Sequence, residues 1–435
     1  MYLTVFYYVL GMLDINQIRQ APDFVIKNIE RRKNTEKIQL LKELIIKDEK
    51  WRKAIAGLND LNHVRNNISK EINELKLNGK DISTKLGEAK KLPLAIKEAE
   101  TLENNLKDEV DSLLLKIPNL LHESVPYGGS DADNVVIKTN GKIKKPTFEL
   151  IHHGDLAVNL DLAEFKRATK ISGVGFFYLK NQLVLLDLAL QRYALDILIK
   201  KGFSPIQPPF LIRKEPYRGV TDLDFFENQL YKTDEDLFLI ATAEHPIAAM
   251  YMNETLNEDD LPIKYAGLSP CFRKEIGKHN IDEKGFFRVH QFNKVEQFIF
   301  CTEEQSWDLF EGLAENSENL LTALEIPYQK VNVCTGDIGE IATKKYDING
   351  WSPREQKYIE LMSCSHCSDY QARRLKIKYL KGNEKKFVTT LNNTMVATTR
   401  LLRILLETYQ TKEGTFKVPK VLQPYLNCKE ITNHN

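Results

Sequence analysis

The sequence predicts an α+β protein in which an antiparallel sheet carries flanking helices, preceded by an antiparallel α-helical coiled-coil arm. Two observations carry this. Charged stretches with apolar seams, joined by one short turn, occupy residues 36 to 117. Beyond IPNLLHESVPYGG, short strands and helices alternate without any strand–helix–strand unit opening on a glycine-rich turn.

The arm comes first along the chain. Leu41, Leu44, Asp48, Trp51, Ile55, Leu58 and Asn62 recur at three- and four-residue spacing, and Ile68, Ile72 and Leu75 continue the seam after one slip. Ile96, Ala99, Glu103, Leu106, Val110, Leu113 and Ile117 form a second seam, and the intervening LNGKDIST suits a turn and a new helix start. Two such helices pair antiparallel, each roughly 50–60 Å long. They cannot enclose a globular core, so an arm is expected. Its blunt use is a spacer or dimerisation element; its pointed use is to probe a long anionic partner. Pro93 is expected to kink the second helix or mark its start.

The rest of the chain mixes strands and helices. QLVLLDLALQRYALDILIKKG (182–202) is an amphipathic helix ending at Gly202, and FSPIQPPFLI is a proline-broken extended segment. Residues 264–276 and 286–300 read as paired antiparallel strands joined by a charged loop. A helix covers 303–325, KYIELMSCS is a further strand, and TTRLLRILLETYQ a final long helix. SGVGFF (172–177) has only two glycines of the dinucleotide pattern and opens no helix, so it is discounted.

Lys plus Arg number 61 and Asp plus Glu 60, so contact with nucleic acid has to come from local patches. Six scattered cysteines in 435 residues fit a reducing compartment better than a disulfide scaffold. The apolar start, MYLTVFYYVLGM, is too short to span a bilayer and lacks a basic flank and a cleavage site. Residues 1–11 therefore read as an extension, and the protein as cytoplasmic with no membrane partner.

Several side chains carry chemistry. In strands, Arg273 and Glu275 share one face, and Arg288, His290, Phe292, Lys294 and Glu296 share another. If those faces coincide, arginines for phosphate, a ring for a base and carboxylates for an ammonium stand together. A nucleotide plus an amino acid would use all of them; the alternative is a sheet face crossed by structural ion pairs. Glu360 lies near Ser363, an oxygen pair of the kind Mg²⁺ prefers beside triphosphate. Cys364-Ser-His-Cys367 lacks a second Cys/His pair at zinc spacing, so buried thiols and no zinc are expected.

These segments carry a resemblance. KGFSPIQPPFL, CFRKE and MVATTRLLRILLE resemble, in order, motifs 1, 2 and 3 of class II aminoacyl-tRNA synthetases. MLDINQIRQAPDFVIKNIERR, IPNLLHESVP, LIATAEHP, GFFRVHQFNKVEQF and ELMSCSHCSDYQARR are similar to segments of the seryl-tRNA synthetases, from Met12 to about Leu426. NNTMVATTR looks like the archaeal and eukaryotic cytosolic form rather than the glycine-rich bacterial one. The resemblance implies a tRNA-binding helical arm domain over 12–120 and a class II catalytic domain over 121–435. It implies serine activation by ATP with Mg²⁺, transfer to tRNA(Ser), and a homodimer whose arm reaches the tRNA on the other subunit. The resemblance leaves open whether tRNA(Sec) is a second acceptor.

It also implies roles. Thr242, Ala243 and Glu244 border the serine pocket, Glu296 takes the amino group or hydroxyl of serine, Thr394 contacts the hydroxyl, and Asn392 supports that side. Arg273, Lys274 and Glu275 hold the α-phosphate and adenine side of ATP, with Val289 and Phe292 flanking the adenine. Arg288 and Arg400 meet phosphates. Glu360, Leu361, Met362 and Ser363 form the adjoining ATP segment, with Glu360 and Ser363 on Mg²⁺. Pro209 is the motif 1 proline near the dimer interface. Two rivals are a ligase loading a carrier protein, whose relatives lack the arm, and a non-catalytic scaffold, which would have lost Arg273, Glu296, Glu360 or Arg400.

Overall fold

A computed structural model describes residues 15–275 and 285–433. The extension expected over residues 1–11 lies outside the described residues. The chain divides into two compact units, one ending at Pro118 and the other beginning at Asn119.

The first unit is helical: α1 (Ile15–Gln20), α2 (Pro22–Glu30), α3 (Thr35–Leu77) and α4 (Ser83–Leu114). Asn34 caps α3 by accepting from the Lys37 N–H at 3.2 Å. Leu41, Leu44, Ile68, Ile96, Leu106, Val110 and Leu113 are buried between the long helices, whereas Trp51, Ile55 and Leu58 are half-buried. A helix pair alone shields only its seam. The polar seam positions are held by partners. Asp48 receives both Arg19 Nη2 (2.6 Å) and Arg52 Nε (3.1 Å), and the Trp51 indole N–H donates to Glu103 Oε1 at 2.7 Å.

At 43 and 32 residues the two helices are unequal, about 65 and 48 Å long at ~1.5 Å per residue. The cause is the turn. Gly79 takes φ +65, and Asp81 accepts from the Ser83 N–H at 2.9 Å, so α4 starts there. Pro93 consequently sits inside α4 and does not start it. Its cost is one missing N–H bond in the third turn.

The second unit is built on an eight-stranded sheet: β1 (Val135–Asn140), β2 (Ser204–Ile206), β3 (Ile263–Phe272), β4 (Gln291–Cys301), β5 (Tyr328–Asn332), β6 (Lys344–Ser352), β7 (Lys357–His366) and β8 (Thr389–Ala397). The spatial order is β1-β5-β6-β7-β8-β4-β3-β2. Every neighbouring pair is antiparallel except β2 with β3. Helices α5 (Asn181–Lys200), α7 (Glu303–Ala323) and α8 (Thr398–Tyr409) bury their apolar sides in one core with the sheet; α6 (Glu244–Ala248) is short. α7 opens on a capping box, Thr302 with Gln305. Among the described residues no helix is long and apolar enough to cross a membrane.

Two strand expectations are corrected. β3 stops at Phe272 and β4 starts at Gln291, so the connection is longer than the expected loop and residues 285–290 are not strand. Glu275 takes φ +48, which ends the extended run. His290 therefore leaves the predicted face: its ring stacks on Phe176 at 5.0 Å, and its Nδ1 lies 2.6 Å from the Tyr231 hydroxyl.

Candidate active site

Two bulges set the floor of the site. On β7, Ser363 pairs with Asp347, Met362 with Ile348, but Glu360 with Asn349, which leaves Leu361 as an extra residue. In a regular strand, residues three apart face opposite sides. The bulge puts Glu360 and Ser363 on one side and buries Leu361 and Met362 at 1% exposure each. Plain alternation would group Glu360 with Met362; the bulge breaks that alternation. On β8, Thr394 pairs with Glu296 and Val396 with Val295, so Met395 is extra and Thr394 and Ala397 share a side.

A pocket of about 270 Å³ opens over this floor. Thr242, Glu244, Glu296, Asn392, Thr394 and Ser363 line it, together with Lys294, Tyr217 and His245. Lys294 and Glu296 form a buried ion pair. Thr394 Oγ1 donates to Glu296 Oε2 at 3.4 Å, Gln371 Nε2 donates to Glu244 Oε1 at 3.1 Å, and Asn392 Nδ2 rests 3.6 Å from Cys367 Sγ. Desolvation in the pocket, aided by Glu296 and opposed by Lys294, pushes the Glu244 carboxyl up to about 7. The same desolvation, with Lys294 and Arg273 nearby, pushes His245 down to about 3. His245 is thus a neutral ring, its Nδ1 2.9 Å from the Tyr217 hydroxyl.

A larger cavity of about 1270 Å³ adjoins it. Arg273, Phe292, Glu360 and Arg400 line both and form the throat between them. The Arg273 guanidinium lies over the Phe292 ring, 5.4 Å from its centroid. Arg400 Nη1 meets Glu360 Oε1 at 3.1 Å. Burial alone would raise the Glu360 carboxyl, but Arg400 and Lys345 prevail and hold it below its ordinary value. Asp347 moves the other way, up to about 7, because burial and Glu360 outweigh Lys345. Glu275, Arg288 and Val289 line the outer cavity, beside Phe287 and Arg403.

Two expected residues stand apart. Lys274 lines neither cavity and carries its ammonium over the Tyr231 ring at 5.7 Å. Ala243 is fully buried beneath the pocket wall. Its close seat depends on Gly267, where a Cβ would stand 2.9 Å from Ala243 Cβ and 2.5 Å from Ile247 Cδ1. Sequence reasoning gave no role to Lys294, although it shares the strand face of Phe292 and Glu296. Tyr217 carried no local signal; Phe287 and Arg403 stand beside Arg288 and one turn after Arg400, so their nearness in the chain was the signal that could have found them.

Oxygen donors dominate beside Glu360. Ser363 shares its side, Asp347 and Asn349 are cross-strand neighbours, and Asn349 Oδ1 is buried without a hydrogen-bond partner. This donor set fits a hard divalent cation completed by phosphate oxygens. Cys364 and Cys367 are both buried; Cys364 Sγ faces the Phe310 carbonyl, away from the Asn392 that Cys367 meets. Among the described residues, no three His, Cys, Asp or Glu side chains converge on a metal position.

Comparison with known proteins sharpens the geometry. The family described as "tRNA synthetase class II core domain (G, H, P, S and T)" matches residues 226–409, and "Seryl-tRNA synthetase N-terminal domain" matches residues 12–121. A serine–tRNA ligase of Methanospirillum hungatei is 50% identical over 424 residues, covering 97% of this chain and 100% of that one. The crystal structure of seryl-tRNA synthetase from Pyrococcus horikoshii complexed with ATP superposes with TM-score 0.94 at 42% identity, covering 97% of this chain and 99% of that one. The cytoplasmic serine–tRNA ligase from Naegleria fowleri in complex with AMP does so with TM-score 0.87 at 38% identity, covering 98% and 99%.

Proposed function

This chain belongs to the seryl-tRNA synthetases, and from that premise we propose which of its residues perform serine–tRNA ligation. The carrying observation is the throat of Arg273, Phe292, Glu360 and Arg400, which joins a small pocket with two carboxylates to a large cavity lined by arginines. Serine occupies the first and ATP the second. The α-phosphate lies in the throat.

The serine ammonium pairs with Glu244 and Glu296, and its hydroxyl meets Thr394 on the side supported by Asn392. Thr242 closes the wall, backed by Ala243. Arg273 binds the α-phosphate through its fork, and the adenine lies against Phe292 with Val289 and Glu275 at its edge. Arg288 and Arg400 take the outer phosphates. Lys274, whose ammonium lies over Tyr231, serves only through its backbone in this reading. Glu360 and Ser363 would hold Mg²⁺, flanked by the backbone of Leu361 and Met362. When bound, Mg²⁺ supplies neutralisation of the triphosphate charge.

The chemistry needs no protein nucleophile. The serine carboxylate attacks the α-phosphorus, seryl-adenylate forms and pyrophosphate leaves. The terminal adenosine hydroxyl of tRNA then attacks the activated carbonyl and AMP leaves. The side chains supply alignment and fixed charge aimed at the reacting phosphate. Alanine and glycine are refused because Thr394 and Glu296 would lose a buried partner. Threonine is refused by space.

The helical unit over 12–120 takes the tRNA, and residues 121–435 carry the chemistry. The arm argues against the carrier-protein alternative. A homodimer fits the exposed Leu185 and Leu188 on α5, with Pro209 at the motif 1 interface. Free thiols at all six cysteines support a cytoplasmic setting. The test is ATP–pyrophosphate exchange with serine, threonine, alanine, glycine and cysteine in parallel. Exchange driven by serine alone is expected; exchange with alanine or glycine would overturn the pocket assignment.

A further inference from the structure

Phe287 and Arg288 form part of the wall of the outer cavity, yet both lie in the irregular stretch before β4. Something must hold that stretch still. Phe286, just before them, has a fully buried ring, and its backbone N–H donates to His153 Nε2 at 3.2 Å. His153 opens the short helix His153–Asn159 and is 1% exposed. Because Nε2 accepts, the ring proton sits on Nδ1, and Nδ1 stands 3.4 Å from Glu407 Oε1.

Glu407 lies on α8 and accepts from Arg403 Nε at 3.0 Å and from the Ser352 hydroxyl at 2.5 Å. Burial would raise the Glu407 carboxyl, but His153, Ser352 and Arg403 hold it down at about 2. The Arg403 guanidinium in turn lies over the Phe287 ring, 4.6 Å from its centroid. The contacts close a ring running from the Phe286 N–H through His153, Glu407 and Arg403 to Phe287.

We propose that His153 is a positioning residue for ATP: it ties the strand-entry segment to α8 and so fixes the wall formed by Phe287 and Arg288. This rests on the assignment of the outer cavity to ATP. His153 touches no substrate. Its influence runs through the backbone of Phe286 and the carboxylate of Glu407, which sit on two separate elements of the cavity. Removing the ring nitrogens leaves the buried Phe286 N–H without its acceptor and takes the Nδ1 group away from the Glu407 carboxylate, which then rests on Arg403 and Ser352.

The experiment measures ATP and serine affinities of the full-length protein by calorimetry, alongside thermal unfolding. His153→Phe keeps the ring volume and removes both nitrogens. His153→Gln restores an acceptor near the Nε2 position, and His153→Asn a donor near Nδ1. We expect His153→Phe to weaken ATP about tenfold with serine affinity nearly unchanged, and His153→Gln to recover most of the loss. Equal losses for ATP and serine, or no advantage of Gln over Phe, would overturn the proposal. Should the Phe variant fail to fold, Gln against Asn decides, with Gln expected to bind ATP more tightly. Serine-dependent exchange of the unaltered enzyme is scored separately. Its absence would sink the functional reading, while the affinity pattern still decides the role of His153.

Discussion

At the scale of single residues, the pocket proposed for serine couples charge to pH. Glu244 loses its proton as pH rises through about 7, and only the ionised carboxylate can pair with the serine ammonium. The KM for serine should therefore fall several-fold between roughly pH 6 and pH 8. Glu244→Gln should flatten the profile at the weaker level. A KM that rises with pH would remove Glu244 from the ammonium contact. Arg273 offers a second check. Arg273→Lys keeps the charge but loses both the fork and the flat face over Phe292, so exchange should drop about a hundredfold. Near-normal exchange in that variant would displace Arg273 from the α-phosphate.

At the scale of elements, the bulges and one glycine decide what the strands present. Glu360 and Ser363, and likewise Thr394 and Ala397, could not share a side of a regular strand. The extra residues Leu361 and Met395 bring them together. Gly267 does similar work across β3, where its bare Cα lets Ala243 and Ile247 approach the sheet. Gly267→Val should cost about 1–3 kcal/mol of stability through overpacking. It should also raise the KM for serine more than that for ATP, because the displaced segment carries Thr242 and Glu244. Urea unfolding with paired KM measurements checks this; equal shifts in both KM values would count against it. The strand alternation near Phe292 was legible in the sequence and correctly joined Phe292, Lys294 and Glu296. It failed at His290, because residues 285–290 are not strand and Phe286 among them is anchored by His153, far away in the chain.

At the scale of the whole molecule, the two units should divide the reaction. Replacing residues 36–115 by a short Gly-Ser linker should leave serine-dependent exchange nearly intact and abolish aminoacylation of tRNA. Loss of both would refute the division of labour. With the arm intact, the KM for tRNA should climb steeply with added salt while the KM for serine stays flat, because phosphate contacts release counterions. The tip, residues 70–91, bears six lysines against four carboxylates, a mild basic excess where that dependence should originate. Charge-neutralising substitutions there, followed by the same titration, should shallow the slope.

The helical arm, the antiparallel class of the large sheet and about half of the residues lining the small pocket were legible in the chain before folding. The arm follows from periodicity and the sheet class from the order of elements, both written locally in the chain; the pocket residues came from the resemblance to the seryl-tRNA synthetases. Folding alone set Glu360 on the side of Ser363, paired Lys294 with Glu296 in the small pocket, and turned Lys274 and His290 away. It also brought Tyr217, Phe287, Arg403 and His153 to the site. Those outcomes depend on bulges, caps and buried hydrogen bonds between segments over a hundred residues apart, such as His153 with Phe286. Pairing energies of that kind have no period along the chain, so they become visible only when the chain is folded.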